Sequence, residues 1–228
     1  MKKILEKNEF ILCMFLIVMY IVTNSYCIQN FGLYNYKSVV VNTLLSILLI
    51  ILMIILKRLS YYGLAKVNNL KKYLYFLPLL LILSVNLWNG ININNNTHEI
   101  IYYILNMINV GFIEEIIFRG FLFRMMEKDN VKTAIIVSSV TFGIGHIINL
   151  FNGGELVSTL LQVCYAMSIG YLFVTIFYKS KSLVPCIITH SVMNSLSIFN
   201  TESSIISSIF LIIVPIIYTL YLNKNIRN

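Results

Sequence analysis

Apolar runs long enough to cross a membrane recur along the whole chain, separated by short polar connections. They fall at roughly 10–28, 38–56, 73–90, 100–123, 133–150, 156–178, 183–200 and 204–222. A helix rises 1.5 Å per residue, so about 20 apolar residues cross a ~30 Å hydrocarbon core. Eight runs and their connections use up the 228 residues. The pattern predicts an all-α fold: a polytopic membrane helical bundle of about eight transmembrane helices, one integral-membrane domain over 1–228. Polar positions inside the runs divide the chain in two. Spans 1–3 carry no acidic, basic or histidine residue deep in the apolar core, and Pro78 and Asn86 are their main irregularities. Residues 100–200, spans 4–7, hold everything chemically unusual. The Asn-rich stretch Asn89–Thr97 separates the halves, followed by His98 and Glu99 at the expected membrane edge.

Composition agrees: 58 % of residues are hydrophobic and 11 % charged, against about 25 % charged in a soluble domain. A net charge of +8 could suggest nucleic acid, but its placement reports topology. With a cytoplasmic N-terminus, 15 of the 17 basic residues fall on the cytoplasmic side, Lys37 outside and Arg119 within a span. The positive-inside rule therefore predicts both termini cytoplasmic and no nucleic-acid partner. The N-terminal lysines and the apolar run Phe10–Val22 resemble a signal peptide. No small-residue cleavage pattern follows, so the segment reads as an uncleaved first span. Cys13, Cys27, Cys164 and Cys186 lie in or beside spans without paired spacing, as small packing residues do. Abundant Ile, Asn and Lys with only three Ala fit an AT-rich, bacterial coding genome and a multi-pass protein of the cell membrane.

Candidate chemistry begins in span 4, where Glu114, Glu115 and Arg119 share one apolar run. A charge near mid-bilayer costs roughly 2.5–3.5 kcal/mol on insertion scales, so such groups are kept for a reason. Glu115 and Arg119, at i and i+4 with the acid first, are spaced for a helical ion pair. Glu114 points about 100° away around the helix and has no obvious local partner. A carboxylate less compensated in a low dielectric can take up a proton near neutrality, as a general base must. In span 5, Phe142 and His146 share a face, and Gly143 and Gly145 would let another helix approach closely. In span 7, His190 and Asn194 form a paired donor surface beyond Pro185 in the first turn. Counted from the cytosolic edges, Glu114 lies about 15 Å deep, His190 about 10 Å, Asn194 about 16 Å and His146 about 20 Å. Three helices thus bring a base, two imidazoles and an amide to one slab.

The ordered series EExxxR (Glu114, Glu115, Arg119), FxxxH (Phe142, His146) and HxxxN (His190, Asn194) resembles the CPBP family of intramembrane endopeptidases. That family includes the type II CAAX prenyl endopeptidases and the Abi proteins associated with bacteriocin self-immunity. The motifs cover roughly 110–195, and the span count agrees with the family's eight helices. The resemblance implies peptide-bond hydrolysis by a water that Glu114 and His146 activate. His190 and Asn194 are similar to an oxyanion site, Glu115 and Arg119 would support Glu114, and Phe142 completes the motif. Glu114, His146 and His190 could alternatively form a His2Glu zinc site, but there is no H-E-x-x-H helix, and a metal-independent route is favoured.

An intramembrane protease approached from the cytosolic leaflet is thus the leading expectation. Its substrate would be a peptide or membrane-protein segment: a pheromone, a bacteriocin precursor or a prenylated C-terminus. A proton- or ion-coupled transporter would use the same groups as a relay, but the broken helices and inverted repeats of transporters are not evident. A non-catalytic bacteriocin immunity protein is the third reading.

Overall fold

The computed structural model describes residues 8–66, 76–201 and 204–225. It is all-helical. In chain order the helices are α1 (Glu9–Phe31), α2 (Tyr36–Leu56), α3 (Leu79–Ser84), α4 (Thr97–Met126), α5 (Val131–Phe151), α6 (Leu156–Ser180), α7 (Val184–Phe199) and α8 (Ile205–Asn225). α3 runs on into a 3-10 turn, Val85–Leu87. Six of them, all but α3 and α7, are long and apolar enough to cross a membrane, which makes the chain multi-pass by length and composition. Of the expected crossings, α7 falls below the length of a full ~30 Å crossing at 1.5 Å per residue. The start of the expected third run, 73–75, lies outside the described residues.

Polarity is inverted relative to a soluble bundle. On α2, Leu44, Ile47, Leu48, Ile51 and Ile54 are exposed, while Ser38, Asn42 and Ser46 are buried. The buried polar row ties α2 to α4: Asn42 Nδ2 donates to Asn106 Oδ1 at 2.6 Å and Ser46 Oγ to Asn109 Oδ1 at 2.7 Å. In lipid the apolar faces gain nothing from one another, so such bonds and close packing hold the helices together. α6 packs between α5 and α8, and α7 lies along α4.

Local chemistry sets the helix starts that matter. A capping box opens α4: Asn96 Oδ1 accepts from the Glu99 amide and Glu99 Oε2 from the Asn96 amide, at 3.0 and 3.1 Å. Asn130 caps α5 through the Thr133 amide. Two small residues fix the spacing around the site. A Cβ on Gly111 would stand 2.8 Å from the Ser191 backbone nitrogen, and one on Gly143 would stand 2.8 Å from the Val163 carbonyl. Gly143 thus lets α5 and α6 meet, as its sequence context suggested. Gly145 does not share that role; its nearest neighbour would be Phe118 at 4.0 Å, and it lines a cavity instead.

The basic residues gather at one end. Arg58 and Lys128 both reach Glu9, the Tyr61 hydroxyl donates to the Arg124 carbonyl and Ser182 Oγ donates to the Ala65 carbonyl. Lys37 sits at the other end, over the Phe31 ring. Lys2, Lys3, Lys7, Lys71, Lys72 and Arg227, assigned to the basic side from the sequence, lie outside the described residues.

Candidate active site

The middle of α4 is not regular α-helix. From Ile116 to Phe123 it is π-helical, directly after the two glutamates. A π turn bonds i to i+5, widening the helix, and such segments concentrate at functional sites. Ser138 on α5 donates to the Phe118 carbonyl at 2.8 Å within this stretch. Arg119 is completely buried here. Its Nη1 lies 3.0 Å from Glu115 Oε1, so the ion pair anticipated from the spacing is formed. Its guanidinium also stacks 4.0 Å over the Phe142 ring, a favourable cation–π arrangement.

Glu114 was expected to lack a partner on its own helix, and its partners come from elsewhere. The Tyr20 hydroxyl on α1 donates to Glu114 Oε1 at 2.6 Å, and His190 Nε2 on α7 lies 3.4 Å from Glu114 Oε2. The other face of the same imidazole serves Glu115: Nδ1 is 2.9 Å from Glu115 Oε1. His190 therefore bridges the two glutamates. Glu115 is fully buried, while the Glu114 side chain keeps 12 % exposure. Two adjacent carboxylates are thus sorted by environment, one locked between Arg119 and His190, the other open to a cavity.

That cavity, about 360 Å³, is lined by Glu114, His146, His190 and Asn194 together with Tyr20 and Phe142. The four residues singled out from three separate spans do meet. Phe142 organises the imidazoles, standing edge-on to His146 at 5.1 Å and to His190 at 5.7 Å between ring centres. His146 Nδ1 is 3.2 Å from the Phe142 carbonyl. When Nδ1 carries the proton for that contact, Nε2 is left as an acceptor. Among the described residues, Asn194 has no side-chain hydrogen bond and is half-buried.

A zinc site on Glu114, His146 and His190 is a poor fit. Among the described residues, no three His, Cys, Asp or Glu side chains are arranged to hold a metal ion.

Tyr20 was missed in the sequence. Its signal was faint: it shares a buried helical face with Cys13, Leu16 and Ile17, to which it adds a polar hydroxyl. The direction of the cavity also differs from expectation. Towards the basic end the site is closed by Phe121, Phe123, Phe173 and Phe177, all buried, with Tyr62 stacked 4.2 Å from Phe121. The remaining lining includes Asn24, Asn86, Asn149 and Gln162, on the opposite side of the glutamates from that layer. The cavity thus widens away from the basic end, whereas approach from the cytosolic leaflet was the expectation from depth.

Comparison with known proteins adds one match. Residues 96–196 fit the family described as Type II CAAX prenyl endopeptidase Rce1-like. No curated protein and no solved structure matches the chain. The matched segment runs from the α4 cap to the end of the α7 α-helical turns and contains all three motifs around the cavity. Residues 96–196 are thus a domain of the Rce1-like type II CAAX prenyl endopeptidase family.

Proposed function

We propose that the chain is an intramembrane endopeptidase in which Glu114 is the general base. The observation that carries this reading is the sorting of the glutamates: only Glu114 opens to the cavity, and it faces His190 there. A water held between Glu114 and His146 Nε2 gives its proton to Glu114 as its oxygen attacks the scissile carbonyl carbon. The carbonyl oxygen becomes an oxyanion, which accepts hydrogen bonds from His190 Nε2–H and Asn194 Nδ2. Glu114 then returns the proton to the leaving amine as the C–N bond breaks. Tyr20 orients the base through its 2.6 Å hydrogen bond. Glu115 and Arg119 are positioning residues, since neither side chain lines the cavity. No step is routed through a metal.

The substrate is a peptide or a membrane-protein segment, a class that takes in a pheromone, a bacteriocin precursor and a prenylated C-terminus. The test is hydrolysis of a quenched-fluorescent peptide library by the purified chain in liposomes. Glu114→Gln keeps shape and hydrogen bonding but removes the base, so cleavage should fall by at least ~10²-fold. Wild-type turnover by a folded Glu114→Gln variant refutes the role.

A further inference from the structure

A second chamber of about 470 Å³ adjoins the first, between α6, α8 and the loops at the end of the bundle far from the arginines. The two share a wall that includes Asn86, Asn149, Gln162 and Tyr165. Across it Asn149 Nδ2 donates to Gln162 Oε1 at 2.8 Å, a bond between two uncharged side chains that water or a peptide amide can replace. The outer chamber is hydroxyl-rich, with Thr159, Ser207 and Ser208 along it and Glu155 and Ser158 exposed at its rim. Asn24 Oδ1, on the inner chamber, is buried without a hydrogen-bond partner among the described residues. It is an acceptor awaiting a donor such as a peptide N–H.

The opposite end is sealed. Below the glutamates lie the buried rings of Phe121, Phe123, Phe173 and Phe177, and the Arg124 guanidinium covers Phe177 at 4.5 Å. That end also carries Lys57, Arg58, Lys128 and Lys181, the side that the positive-inside rule assigns to the cytoplasm. A polar channel in lipid must be paid for by water or substrate, because unsatisfied amides and hydroxyls are costly there.

We propose that the substrate is an extracytoplasmic, polar peptide segment that enters through the outer chamber, from the end of the bundle opposite the basic residues. Its chain lies along the serines and threonine between α6 and α8. Its scissile carbonyl reaches Glu114 once the Asn149–Gln162 bond exchanges for bonds to the peptide. This rests on the protease reading for the chemistry, but the direction of entry does not depend on it.

The experiment uses the full chain in right-side-out and inverted membrane vesicles, with Ser208→Cys for the outer chamber, Asn24→Cys for the inner one and Lys128→Cys for the basic end. The probe is a membrane-impermeant sulfonated maleimide. Wild type gives the background, since Cys13, Cys27 and Cys186 are buried and Cys164 is exposed. Ser208→Cys and Asn24→Cys should be labelled in right-side-out vesicles only, and Lys128→Cys in inverted vesicles only. Labelling of either chamber position from the Lys128 side overturns the proposal, and so does a folded protein in which neither chamber position reacts. A bulky maleimide on Ser208→Cys should also abolish peptide hydrolysis, and undiminished cleavage after complete modification would count against this entry route. Because labelling needs no turnover, a chain that labels as expected yet cleaves nothing refutes the protease reading and leaves the entry route standing.

Discussion

The buried pair of Glu115 and Arg119 allows a quantitative test of how the site is held. Both side chains have no exposure, and they lie 3.0 Å apart. Replacing Arg119 with Met leaves the Glu115 carboxylate buried with only His190 Nδ1, at 2.9 Å, as partner. Removing one member of a buried ion pair typically costs ~3–5 kcal/mol, because the remaining charge is left uncompensated. The stacking over Phe142 at 4.0 Å adds roughly 1–2 kcal/mol for a desolvated cation–π contact. Met refills much of the volume, so the cavity contribution is small. Arg119→Met should therefore destabilise by about 4–7 kcal/mol. Glu115→Gln keeps an acceptor for His190 but strands the guanidinium, and should cost a similar amount. The double variant has no stranded charge and should cost well under the sum, with a coupling energy of at least ~2 kcal/mol. The assay is unfolding of the purified chain in mixed micelles, followed for all four members of the cycle. Additive single-variant effects, with coupling below ~0.5 kcal/mol, would refute the argument that the pair is mutually compensating.

Glu114→Gln should leave that unfolding profile near wild type while abolishing cleavage, because its carboxylate opens to the cavity and is not locked in the interior. Tyr20→Phe removes one hydrogen bond to a charged base, worth ~1.5–3 kcal/mol; turnover should fall by about 10- to 100-fold at unchanged abundance, and an unaffected rate would remove Tyr20 from the site. Asn194→Ala should lower turnover by roughly 10²–10³-fold as a lost oxyanion donor. Prolonged chelation should not lower turnover; activity lost to chelator and restored by stoichiometric zinc would overturn the metal-free mechanism. Gly143→Val drives side-chain atoms into the Val163 carbonyl and Met167, so the folded yield should drop sharply, whereas Gly145→Ala meets nothing closer than 4.0 Å and should fold normally.

The sequence by itself determined the helical membrane class, the spans that carry the chemistry and the ion pair between Glu115 and Arg119. These depend on short-range periodicity and on the cost of charge in lipid, both of which act within one helix. Co-localisation of Glu114, His146, His190 and Asn194 was also legible, because helical rise converts residue counts into depth. Only the tertiary structure decided which helix faces which. The Tyr20 contact spans 94 residues and the His190 bridge to Glu115 spans 75, and no periodicity within a single span encodes a partner that distant. The π-helical stretch at Ile116–Phe123 is likewise invisible to apolar patterning, since a π turn and an α turn carry the same run of mainly apolar residues. The direction of the cavity depends on which layer of side chains closes the bundle. Phenylalanines and asparagines from six helices make that choice together, and depth along any one helix does not report it.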